Sequence, residues 1–92
     1  MTARTSARVR VTVYSRPDCH LCEELLEGLL PLLRGRAEVE VRDVDRQQDW
    51  QRTYGGRIPV VEMNGSVICE FRLDGAAVQR ALDTFPDPAA GA

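Results

Sequence analysis

The feature that most constrains this chain is a change of hydrophobic period within a dozen residues. Val9-Arg10-Val11-Thr12-Val13-Tyr14 alternates with period two, placing three valines on one face of a strand and Arg10, Thr12 and Tyr14 on the other. After the loop Ser15-Arg16-Pro17-Asp18, the period becomes that of a helix. On a helical wheel, Cys22, Leu25, Leu26, Leu29, Leu30, Leu32 and Leu33 fall on one half, and Glu23, Glu24, Glu27, Gly28, Pro31 and Arg34 on the other. A strand feeding an amphipathic helix through a short loop is the opening of an α/β unit. The two cysteines of Cys19-His20-Leu21-Cys22 stand at the handover.

That position has chemical consequences. The first turn of a helix carries unpaired N–H groups and the positive end of the helix dipole, both of which favour a thiolate over a thiol. Asp18 is the expected N-cap of the helix. Cys19 then lies in the exposed first turn, and Cys22 falls near the middle of the buried half. An unperturbed thiol, with a pKa near ~8.5, is only ~3% ionised at pH 7, and lowering its pKa to ~7 makes half of it thiolate. The helix start, Arg16 and a protonated His20 act in that direction, and Asp18 opposes them. A modest lowering at Cys19 is expected.

The remaining segments complete one domain. Pro31 lies on the solvent side of the helix and is expected to bend it, and Gly35 ends it. Ala37 to Val44 alternates again, with Val39, Val41 and Val44 inward and Glu38, Glu40 and Arg42 outward, which suits a sheet edge. Asp45 with Gln48 resembles a capping box for a short helix at 49–54 that carries Trp50 and Tyr54 as packing residues. Ile58 to Met63, Asn64-Gly65 and Ser66 to Phe71 make a hairpin, because Asn-Gly supplies the two positive-φ positions of a tight turn. Cys69 is a core residue of its second strand. Asp74 caps a last helix whose core face is Ala77, Val78, Ala81, Leu82 and Phe85, closed by Pro86 and Pro88. Residues 1–8 read as a flexible lead, 9–85 as the domain and 86–92 as a disordered tail.

Composition narrows the function. Net charge is −2 with acidic and basic residues interleaved, so the chain lacks the footprint of a nucleic-acid or membrane-surface binder. No apolar run approaches the ~20 residues of a membrane span, and the N-terminus lacks the apolar core of a secretory signal. Three cysteines are an odd count for a disulfide-stapled secreted scaffold. These point to the reducing cytoplasm, where C-x-x-C is a redox pair or a metal site, and a monomer is expected. Zinc ligation by Cys19 and Cys22, with His20 nearby and Cys69 the sole remaining candidate cysteine, and a non-catalytic interaction module remain the competing readings.

The order β-α-β-α-β-β-α implies a four-stranded mixed sheet with helices on both faces. In that order, Tyr14 to Cys22 together with Ile58-Pro59-Val60 resembles the glutaredoxin branch of the thioredoxin-like α/β fold over 9–85. The Cys-His-Leu-Cys motif and Arg57-Ile58-Pro59-Val60-Val61 are most similar to the small bacterial glutaredoxin-like proteins. The resemblance implies a thiol-disulfide oxidoreductase in which Cys19 is the nucleophile, Cys22 the resolving thiol and Pro59 a cis-proline against the pair. It implies that the Ile58 backbone pairs with substrate, that Arg16 or Arg57 holds a carboxylate, and that Asp74 matches an acidic substrate-binding position. His20 and Asp18 are auxiliary. Protein disulfides or glutathione mixed disulfides are the implied substrates, with glutathione as co-substrate and no bound cofactor or metal. Relatives that bind glutathione carry Gly-Gly after the fourth strand, and here Phe71 and Arg72 stand in that region.

Overall fold

A computed structural model describes residues 9–84. The expected lead at 1–8 and tail at 86–92, with Phe85, lie outside the described residues. In chain order the elements are β1 (Val9–Ser15), α1 (His20–Leu33), β2 (Ala37–Asp43), a 3-10 turn (Val44–Arg46), α2 (Gln48–Tyr54), β3 (Val60–Met63), β4 (Ser66–Glu70) and α3 (Gly75–Thr84). The sheet runs β2-β1-β3-β4. β1 and β2 are parallel, with Val11 opposite Val39, and the other neighbours are antiparallel, with Val13 opposite Val61 and Val61 opposite Cys69. This is the α/β mixed sheet that the element order implies.

Alternation along β1 sorts the core into two layers. Val9, Val11 and Val13, joined by Val61 and Met63, pack against Leu25, Leu29 and Leu33 of α1 and Val78, Ala81 and Leu82 of α3. On the opposite face Tyr14, Val60 and Val44 are buried under α2, with Trp50, Tyr54 and Ile58 against them. The Tyr14 ring stacks on Tyr54 at 3.8 Å between centroids and meets the Trp50 ring edge-on at 5.9 Å. The two aromatics of α2 are therefore packing residues. Asn64 (φ 51°) and Gly65 (φ 88°) make the tight turn of the β3–β4 hairpin. Asn64 also ties it to β1, accepting from the Arg10 N–H at 3.1 Å and donating its own N–H to the Arg10 carbonyl at 2.9 Å.

Three expectations need correction. Leu30 is 47% exposed and Val41 51% exposed, although both fall on apolar faces. The stripe of α1 that meets the sheet is filled by Leu25, Leu29 and Leu33, and Leu30 lies about 100° round from Leu29. Val41 is on the edge strand β2, which has a neighbouring strand on one side only. Asp45 does not cap α2. It sits in the 3-10 turn, and α2 begins after Gln47 without a side-chain cap. Pro31 is accommodated inside α1, which runs on to Leu33.

Candidate redox site

The topology gathers four loops at one end of the sheet. β1 and β2 end side by side, with Ser15 opposite Asp43. Tyr14 faces Val60 and Val60 faces Glu70, so the chain entering β3 and the chain leaving β4 reach the same end. The crevice beyond the carboxyl ends of parallel strands is where such sheets bind ligands.

Cys19 closes the loop after β1 and is the N-cap of α1. Its backbone is extended (φ −100°, ψ 105°), and its Sγ accepts the Cys22 N–H at 3.1 Å. The Cys19 carbonyl accepts the Glu23 N–H at 3.0 Å, the first bond of the helix. Asp18, the expected cap, is displaced from that role. It adopts φ 61°, a left-handed turn conformation that Asp tolerates better than most residues, and is exposed. Cys19 and Cys22 are joined as a disulfide with Cα atoms 5.2 Å apart. Cys22 is 2% exposed under the helix, whereas Cys19 is only half-buried, so one sulfur is open to a partner and the other is screened.

The cations expected near the pair are already engaged. Arg16 holds Asp45 with two parallel bonds, Nε to Oδ2 at 2.9 Å and a terminal nitrogen to Oδ1 at 3.1 Å. Those bonds and one from Gln51 keep the Asp45 carboxyl below its ordinary pKa. His20 Nε2 lies 2.8 Å from Glu24 Oε2, one turn along α1. Arg57 donates Nε–H to Glu70 Oε2 at 3.1 Å, and a second guanidinium nitrogen bonds the same oxygen. Arg57 also lies over the Tyr54 ring, 5.7 Å from its centroid. The Ile58–Pro59 bond is cis and Pro59 is buried, next to the end of β1 in the register of the sheet. Asp74 caps α3 through its Oδ1, which accepts the Ala77 N–H at 3.0 Å.

After β4 the chain makes a turn that the sequence reading did not find. The Phe71 N–H donates to the Pro59 carbonyl at 2.8 Å, and the Arg72 N–H reaches back to the Glu70 carbonyl at 2.6 Å. Phe71 at the centre of this γ-turn has φ 66°, which for a residue with a Cβ costs about 1–2 kcal/mol. The turn runs into Leu73, which approaches Gly28 of α1 so closely that a Cβ there would lie 2.8 Å from Leu73 Cδ2. A groove of roughly 300 Å3 separates the turn from the helix, lined by Leu21, Glu24, Leu25, Phe71, Arg72 and Leu73.

Residues 10–83 match the family described as Glutaredoxin-like domain (DUF836). The chain belongs to this glutaredoxin-like family. Among solved structures it is similar to the X-ray structure of target protein XcR50 from X. campestris, at 28% identity and TM-score 0.67, covering 83% of this chain and 99% of that one. A mutant thioredoxin from Halobacterium salinarum aligns at 22% identity and TM-score 0.63, covering 88% of this chain and 77% of that one. The oxidised mitochondrial thioredoxin 3 of Saccharomyces cerevisiae aligns at 15% identity and TM-score 0.61, covering 89% and 86%. The two thioredoxins show the shared fold. Comparison with curated proteins returns no match.

Family membership and the Cys19–Cys22 pair together support a redox role for the glutaredoxin-like domain. Among the described residues no three His, Cys, Asp or Glu side chains gather where they could hold a metal ion, and no helix is long and apolar enough to cross a membrane. Cys69 faces the helical side from β4, partly buried, and burial raises its thiol pKa. Leu21 carries no distinguishing signal in the sequence, whereas Phe71 and Arg72 stand where the family resemblance would place Gly-Gly.

Proposed function

We propose that this glutaredoxin-like domain is a thiol-disulfide oxidoreductase whose working couple is Cys19/Cys22. In the reduced form the Cys19 thiolate attacks one sulfur of a substrate disulfide. The substrate S–S bond breaks, its other sulfur leaves as a thiolate, and a Cys19–substrate mixed disulfide forms. Cys22, deprotonated as it reacts, then attacks Cys19 Sγ. The mixed disulfide breaks, the second substrate thiol leaves, and Cys19 and Cys22 are left as the disulfide. Two electrons and two protons have passed to the substrate. Protein disulfides are the proposed substrates, and two molecules of glutathione, oxidised to their disulfide, are the proposed reductant that restores the dithiol.

One observation carries this reading: the half-buried Cys19 sulfur is the cap of α1 and the screened Cys22 is one turn deeper, within bonding distance. Negative charge on Cys19 would meet the N–H groups of the first turn, and the screening of Cys22 supports a resolving role for it. Ile58, just before β3 at the end of the sheet where β1 leads into the pair, is the proposed source of main-chain bonds to a substrate strand. Arg16 and Arg57 already hold carboxylates within the chain, so neither is the first choice to hold one of a substrate. Cys19→Ser is expected to abolish reduction of a protein disulfide, and Cys22→Ser to retain only turnover of a glutathione mixed disulfide. Equal activity in the two variants would instead favour an interaction module that does no chemistry.

A further inference from the structure

We propose that Leu21 and Phe71 form an apolar clamp that selects protein disulfides in which a large apolar residue flanks the reactive cysteine, with Arg72 taking an acidic side chain of the same segment. This inference rests on the oxidoreductase reading and names its substrate class. Leu21 lies between the two cysteines in the chain and is 48% exposed. Phe71 is 49% exposed, and both residues line the same groove. The groove therefore borders the redox motif through Leu21, the residue just before Cys22.

The backbone at Phe71 supports a role in binding. Position 71 is left-handed, where glycine is at no disadvantage and an aromatic residue is unusual. Burial does not compensate for the choice, because about half of the ring remains in water. Strain held at a ligand-facing position and unexplained by packing points to a role in binding. The turn is also fixed in place: its N–H is tied to the Pro59 carbonyl and its exit is docked on α1 through Leu73 and Gly28. A rigid apolar wall on a groove that borders the motif gives specificity with little ordering cost on binding.

Charge decides the rest of the segment. Of the two charged residues on the groove, Glu24 is engaged by His20, whereas Arg72 forms no ion pair among the described residues. An acidic side chain near the reactive cysteine complements that guanidinium. Glutathione has carboxylates for Arg72 but no apolar side chain to fill the space between Leu21 and Phe71, so a polypeptide segment is the better occupant.

The test compares steady-state reduction of two mixed-disulfide peptides that differ only at the residue beside the cysteine, Leu in one and Gly in the other, each with a nearby Asp. The wild-type protein is expected to prefer the Leu peptide by about tenfold in kcat/KM, the scale on which apolar pockets discriminate. Phe71→Ala and, independently, Leu21→Ala are expected to reduce that preference to within about twofold. A wild-type ratio near one, or a ratio unchanged in both variants, overturns the clamp while leaving the oxidoreductase reading intact. Failure of the wild-type protein to reduce either peptide, or glutathione disulfide alongside them, overturns both. Faster turnover of glutathione disulfide than of the Leu peptide would assign the groove to glutathione and overturn the proposal.

Discussion

The sulfur of Cys19 accepts the main-chain N–H of Cys22 at 3.1 Å, so the first cysteine of the pair is the cap of helix α1. A side chain in that position stabilises a helix as Ser or Asp does, and an anionic sulfur accepts a stronger bond than a thiol. In the reduced protein, Cys19 is expected to react with iodoacetamide along a pH profile whose midpoint lies below the ~8.5 of a free cysteine, with Cys22 protected. The neutralised Arg16 and His20 and the nearby Asp18 keep the shift modest. Mass-spectrometric mapping of the alkylated thiol across pH checks both parts. A midpoint at or above ~8.5, or first modification at Cys22, would contradict the cap argument.

The Arg57–Glu70 pair should leave an acid signature in stability. Hydrogen bonding by Arg57 holds the Glu70 carboxyl below its usual value of 4.5. A carboxylate with a depressed folded pKa contributes stability above its unfolded pKa and loses that contribution as pH falls through the folded value. Glu70→Gln is therefore expected to lower the urea midpoint at pH 7 and to match the wild type near pH 2. A deficit of equal size at both pH values would mean that packing, and not charge, is what Glu70 contributes.

Neighbouring leucines of α1 should differ sharply. Leu29 is 0% exposed in the main core, and truncating it to Ala should cost about 2–5 kcal/mol. Leu30, half in water, should cost less than about 1 kcal/mol on the same change. Equilibrium denaturation of the two variants reads the difference, and similar losses would place the core face of α1 elsewhere.

Phe71 inverts the ordinary ranking of alanine over glycine. With φ at 66°, Phe71→Gly is expected to be about 1 kcal/mol more stable than Phe71→Ala, because only the latter keeps a Cβ in the left-handed region. Thermal melts of the paired variants check this. Alanine equal to or better than glycine would mean that the turn relaxes out of that conformation.

The amino-acid sequence by itself determined the element order, the two-faced strand β1, the Asn64-Gly65 hairpin, the Asp74 cap and the unequal exposure of Cys19 and Cys22. Each depends on residues a few positions apart, where period and turn chemistry act directly. The cap of α1 was misassigned to Asp18 although it is equally local, since Asp and Cys compete there and the backbone at Asp18 decides the matter. Tertiary structure decided the rest. Leu30 and Val41 are exposed because burial depends on which neighbour covers a face, and Asp45 serves Arg16 in place of capping a helix because the end of β1 and the turn after β2 meet only once the sheet has formed. The groove between Leu21 and Phe71 joins residues fifty positions apart in the chain, and a left-handed phenylalanine leaves no periodic trace in the sequence. Local energetics write a fold into its sequence, whereas contacts made by chain closure appear only in three dimensions.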